Sequence, residues 1–121
     1  MKRIVIVTNS LWNINNFRKN LIINLLNKNF KILIISPNYE NIKLKINNIN
    51  LNYKRIDFSP SSYFSIKDIF FIISFCKILF SFKPDYVLSF TVKPNLISSF
   101  LSRFYNYKNI SNITGLGTLF L

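Results

Sequence analysis

No histidine occurs in the 121 residues, and the chain carries one cysteine, two glycines and four acidic residues. Each shortage removes a class of chemistry. Without histidine and with Cys76 alone, Ser-His-Asp, Cys-His and zinc sites have nothing to be built from. A single cysteine forms no internal disulfide, so nothing points to a stapled secreted domain. Cys76 lies inside "IFFIISFCKILF" and is expected to be a small buried hydrophobe. The glycines, Gly115 and Gly117, stand close to the last residue, Leu121, and none follows the first apolar run. A G-x-G-x-x-G turn or a P-loop is therefore excluded, and nicotinamide or flavin dehydrogenases with it. The acids Glu40, Asp57, Asp68 and Asp85 are scattered and offer no paired-carboxylate site. Glu40 reads as a helix N-terminal charge. The longest apolar stretch, Ile69 to Phe82, is interrupted by Ser74, Lys77 and Ser81. It falls short of the roughly 20 residues of a membrane-spanning helix, and the apolar run in "MKRIVIVTNS" is shorter than a signal-peptide core. A soluble or peripheral protein is expected.

What is present is apolar and basic. Half of the residues are hydrophobic, which predicts one packed domain rich in Phe and Ile. Sixteen Lys and Arg against four acids give a formal charge of +12. Such a field favours nucleic acid, an acidic membrane face or a phosphorylated ligand. Alanine and glutamine are absent while Ile, Asn, Lys and Phe dominate, so AT-rich codon usage is a second source of the lysines. The aromatics sit in apolar stripes and are not interleaved with Lys or Arg, which argues against a nucleic-acid partner.

The β-branched run "RIVIVT" reads as a strand buried on both faces of a parallel sheet. "NINNFRKNLIINLLNKN" spaces Ile14, Phe17, Leu21 and Leu25 as one helix, with Asn13 or Asn15 as N-cap and Asn29 as a left-handed C-cap. "FKILIIS" is a second strand stopped by Pro37, "YENIKLKINN" a short amphipathic helix, and "LNYKRIDF" a third strand. After a polar loop, "SPSSYFS", residues 66–82 form a helix apolar nearly all round, and "KPD" ends it. "YVLSF" is a fourth strand. "KPNLISSFLSRFYN" is a helix with Pro94 in its first turn and Leu96, Ile97, Phe100, Leu101 and Phe104 as its buried stripe. "KNISNIT" is a fifth strand, followed by the glycine pair. The alternation β-α-β-α-β-α-β-α-β predicts an α/β fold, a Rossmann-like parallel sheet with helices on both faces.

Ligands of such sheets bind outside the carboxyl ends of the strands. Those ends carry "TNSLWNINNFR", "SFTVKPN" and "TGLGT". Asn9, Ser10, Asn16 and Arg18 fall at the first helix, and Lys93 and Asn95 at the fourth, in a pattern that suits phosphate or carboxylate groups. The plainer alternative is that Asn and Ser cap helices and that Arg18 and Lys93 are solvated. Trp12 is either a staple to the first helix or a platform for a sugar ring.

Together "TNSLWNINNFRKNLI", "KPDYVLSFTVKPNLISS" and "NITGLGTLF" resemble the N-terminal half of family-4-like GT-B glycosyltransferases, bacterial enzymes that extend lipid-linked, capsular or O-antigen chains. The likeness runs from Lys2 to the end. It implies that residues 1–121 bind the acceptor, a glycan on a polyprenyl diphosphate at the cytoplasmic face of the plasma membrane. A C-terminal half, absent from this sequence, would bind the nucleotide-sugar donor, with no metal and no other cofactor. The resemblance places Asn9 to Arg18, Thr91 to Asn95 and Thr114 to Thr118 along the cleft. Arg18 and Lys93 would neutralise acceptor phosphate, and Gly115 and Gly117 would admit a sugar or diphosphate close to backbone. No catalytic residue is identified, since the histidine many relatives carry near the fifth strand is missing. The chain is expected to be an incomplete half, a fragment or one subunit of a split enzyme, inert by itself and docked on anionic lipid through basic and apolar surface. Two other classes stand beside it: a non-catalytic basic module for a membrane or partner subunit, and a regulatory domain for a small nucleotide.

Overall fold

A computed structural model describes residues 1–38, 41–59 and 63–112. The first strand, β1 (Lys2–Val7), is buried on both sides from Ile4 onward, and the sheet is built outward from it. It pairs in parallel with β2 (Phe30–Ser36) and with β4 (Tyr86–Phe90), so that Val5 lies beside both Leu33 and Val87. β3 (Leu51–Arg55) and β5 (Lys108–Asn112) complete the order β3-β2-β1-β4-β5, parallel throughout. This is the expected Rossmann-like α/β fold. The crossover from β3 to β4 passes over β2 and β1, and it divides the helices between the two faces.

Strand alternation sends neighbouring side chains to opposite cores. Ile4, Ile6, Ile32 and Ile34 pack with Leu11, Ile14 and Ile22, which belong to α1 (Leu11–Phe17) and α2 (Lys19–Asn27). Val5, Val7, Ile35 and Val87 pack with Phe71, Phe75, Ile78 and Leu79 of α3 (Ile66–Phe82) and with Ile97 and Leu101 of α4 (Val92–Leu101). Phe71 and Phe75 stack at 5.7 Å and are the largest fully buried side chains. Burial of each contributes about 1.5–3 kcal/mol.

Several sequence expectations need correction. The helix over 13–29 is two helices broken at Arg18 (φ −114°, ψ 4°), and its N-cap is Ser10, whose Oγ accepts from Asn13 N–H at 3.1 Å. Phe17, expected in its stripe, is exposed, and Ile22 fills the core instead. Asn29 does take the left-handed conformation, with φ 68°.

Residues 41–48 are not a helix. The segment "IKLKI" alternates apolar and basic residues with the period of an extended chain, and its burial alternates in step. Leu44 and Ile46 lean on the α1/α2 core. Asn15 holds the segment as a strand partner would: its Nδ2 donates to Lys43 O and its Oδ1 accepts from Lys45 N–H, each at 3.0 Å.

The third strand ends at Arg55, although Ile56 N–H still bonds Ser36 O at 3.1 Å. The stripe on α4 is also narrower than expected. Lys93, Pro94, Ile97, Ser98 and Leu101 are buried, whereas Leu96, Phe100 and Phe104 are exposed. Cys76 is half-buried against the α3/α4 core.

Asn15→Ala should cost about 1–3 kcal/mol, because two backbone groups lose their side-chain partner at a part-buried contact. Urea unfolding measures the loss, and the Lys45 amide should exchange far faster in the variant than in the parent.

Candidate functional site

The carboxyl ends of β1, β4 and β5 lie side by side, and each closes on a polar residue where the apolar run stops. Val7 pairs with Ser89, so Thr8 comes next to Phe90, and Phe90 pairs with Asn112. Thr8, Phe90 and Asn112 therefore form one row across three strands, on the α1/α2 face. Arg18, at the break between α1 and α2, lays its guanidinium over the Phe90 ring at 4.5 Å.

The row is unsatisfied. Thr8 Oγ1, Arg18 Nε and Asn112 Nδ2 are buried without a hydrogen-bond partner among the described residues, as are Ser89 Oγ and Asn95 Oδ1 nearby. Buried polar atoms are seldom left so, and each such atom costs about 1–3 kcal/mol. Five of them gather at one end of the sheet. Arg18 Nε and Asn112 Nδ2 can only donate, the two hydroxyls can donate or accept, and Asn95 Oδ1 can only accept, so the described residues leave donors and acceptors open together.

The residues singled out from sequence take diverse positions. Ser10 is spent as a helix cap, and Asn9 is exposed beside it. Trp12 lies within α1 and not in a loop before it; it is 45 % exposed and meets Phe17 of the same helix edge-on at 5.2 Å. It also borders a cleft of about 60 Å³ with Asn9, Ser10, Pro37 and Asn38, room for a few water molecules. Asn16 donates back to Trp12 O at 2.8 Å. Asn95 donates from Nδ2 to Asn112 O at 2.9 Å, tying the start of α4 to the end of β5. Thr114, Gly115 and Gly117 lie outside the described residues, as does Glu40.

Lys93 departs most from expectation. Its ammonium is buried and donates to Asp68 Oδ2 at 2.8 Å, Ser59 O at 2.9 Å and Tyr63 O at 2.8 Å. All three N–H groups are used, so Lys93 presents no free charge to a phosphate. Asp68 is fully buried and also accepts from the N–H groups of Ser59 and Ser65 at 2.9 and 2.8 Å. Burial alone would push its carboxyl up, but the Lys93 and backbone bonds and the Lys93 charge outweigh this and hold it below the usual 3.8. The spacing "SIKD", a cap residue followed three places on by an acid, was a legible sign of the Ser65 bond, though not of the one to Lys93.

Thr91 precedes this lysine with φ 73° and ψ 164°, a region that is essentially glycine-only. Among the described residues no group of three His, Cys, Asp or Glu side chains comes together as a metal site, and no helix is long and apolar enough to cross a membrane.

No protein-family model and no curated protein matches the chain. Among solved structures it is similar to UDP-GlcNAc 2-epimerase from Methanocaldococcus jannaschii, with a TM-score of 0.62 and 20 % identity. The alignment covers 92 % of this chain and 31 % of the other, so the chain spans about a third of that enzyme. The likeness is one of fold.

Asp68→Ala should cost about 3–5 kcal/mol by leaving the Lys93 charge buried and unpaired. The parent pair stabilises fully above the unfolded carboxyl value of 3.8 and loses its effect as pH falls through the lower folded value. Urea melts across this range should show that acid loss in the parent and not in the variant. Thr91→Gly should raise stability by about 1 kcal/mol by relieving the backbone. An unchanged or lower melting midpoint would show the positive φ to be unstrained.

Proposed function

We propose that this chain is the acceptor-side half of a GT-B-like glycosyltransferase, holding a glycan on a polyprenyl diphosphate while a second half presents a nucleotide sugar. The observation that carries the reading is the cluster of partnerless polar atoms on the ends of β1, β4 and β5. A Rossmann-like sheet binds ligands at that edge, and the fold is shared with an enzyme named for a sugar nucleotide.

In this reading Asn9, Trp12 and Asn16 border the glycan, and Arg18, Thr91 and Asn95 border its phosphates. Thr114, Gly115 and Gly117, outside the described residues, are proposed to contact the same acceptor. Lys93 acts indirectly, by fixing the start of α4. The reaction is sugar transfer in cell-surface glycan synthesis on the cytoplasmic face of the membrane, and the donor half is either a continuation of the chain or a separate subunit.

One observation favours a second reading, a non-catalytic basic module on anionic lipid. Ile66, Ile69, Phe70, Ile73 and Phe80 follow one another along the outer side of α3 and are all exposed.

Isotope-labelled chain titrated with a short-prenyl diphosphate-linked N-acetylglucosamine separates the two. Amide shifts at Asn9, Trp12 and Asn95, with far weaker shifts from UDP-N-acetylglucosamine, are expected. No response to the glycan, together with sedimentation on phosphatidylglycerol vesicles, would overturn the acceptor reading in favour of the module.

A further inference from the structure

Lys93 is consumed by Asp68, whereas Arg18, at the same carboxyl edge, has no acid to answer its charge among the described residues. Among the described residues its guanidinium has no hydrogen-bond acceptor and no carboxylate. The three acids among the described residues are engaged elsewhere: Asp57 with Arg55, Asp68 with Lys93, and Asp85 with the Arg3 N–H. A half-buried arginine with a buried, unpaired Nε is costly unless an anion completes it.

The groups around it define what kind of anion. Thr8 is completely buried, yet its hydroxyl has no partner, and it stands on one side of Phe90 in the row. Asn112, with a partnerless amide nitrogen, stands on the other. Neighbouring strands are about 4.8 Å apart, so the backbones at the two ends of the row are about 10 Å apart with the guanidinium between them. A carboxylate or a single phosphoryl group is too short to reach both ends. Two linked phosphoryl groups span more of the row, and each offers oxygens to the guanidinium fork.

We infer that Thr8, Arg18 and Asn112, arrayed over the Phe90 ring, form a diphosphate-binding site. The inference rests on the acceptor reading only for the source of the diphosphate. Its geometry stands without it, and a nucleoside diphosphate presents the same chemistry.

Calorimetric titration of the 121-residue chain with inorganic pyrophosphate and with orthophosphate at low salt tests the site. Pyrophosphate should bind more tightly than orthophosphate. Arg18→Gln should weaken it about tenfold or more, and Asn112→Ala several-fold. Lys108→Gln, which removes a charge at the opposite end of β5, should leave binding unchanged. Equal weakening by Arg18→Gln and Lys108→Gln would reduce the effect to net charge and overturn the site. So would equal affinity for the two anions.

Should Arg18→Gln fail to fold, Asn112→Ala against Lys108→Gln decides the matter. UDP and a short-prenyl diphosphate distinguish the sources. Pyrophosphate binding without any glycan response keeps the site and removes the acceptor reading. Glycan binding that ignores Arg18 and Asn112 does the reverse.

Discussion

The ion pair between Asp68 and Lys93 holds together three pieces of chain that nothing else in the sequence obliges to meet. Asp68 lies at the third position of α3, where its carboxylate reaches back to the Ser65 N–H and starts the helix. The same carboxylate takes the Ser59 N–H, and Lys93 takes the carbonyls of Ser59 and Tyr63. The path from β3 into α3 is thereby fastened to the first turn of α4. A buried pair of this kind gains little net energy over an apolar pair, because both charges must leave water. What it confers is position, since a lysine with three fixed acceptors leaves the start of α4 one place to be.

That constraint explains the backbone around it. Thr91 stands in a glycine-only region, and Lys93 is helical although it precedes Pro94, where the helical conformation is disfavoured. Two successive local penalties persist only where the surroundings over-determine them. The anchored ammonium two residues after Thr91 is such a determinant. Asn95 extends the same hold to β5 through Asn112 O. The polar edge thus acquires a rigid side, from α4 to β5, and keeps its uncommitted cation on the other side, at Arg18.

The inner strands were legible because β-branched apolar runs such as "RIVIVT" and "FKILIIS" suit a sheet buried on both faces. Helical spacing was less informative. On α4, Leu96 and Phe100 share a spacing as good as that of Ile97 and Leu101, and only packing decides that the second set goes inward. "IKLKI" carried its answer in a period of two, and reading it as a helix ignored that period. The break at Arg18 has no proline or glycine to announce it. At the site, Arg18 and Asn95 were visible as polar residues at the right strand ends. Lys93 looked the same, and its partner is 25 residues away with no periodic link between them. Thr8 and Asn112 were hidden because a lone polar residue at the end of a strand looks like a terminator.

The two ends of the sheet hold polar groups in different ways. At the amino end Asp85 takes the Arg3 N–H and gives its own N–H to Arg3 O, both at 2.8 Å, and its carbonyl accepts from Lys108 N–H. The Arg3 guanidinium bonds Phe82 O at 2.8 Å. The strand starts are sewn together by the protein's own groups. A cleft of about 360 Å³ lies at that end, lined by Lys83, Asp85 and Tyr107 among others. Space is therefore available where chemistry is already closed. At the carboxyl end hydroxyl, amide and guanidinium groups are brought under cover and left open. A fold gains nothing from leaving donors unpaired at one end while pairing them at the other. The asymmetry follows if the carboxyl edge is completed by a ligand, and volume alone is a poor guide to where that ligand sits.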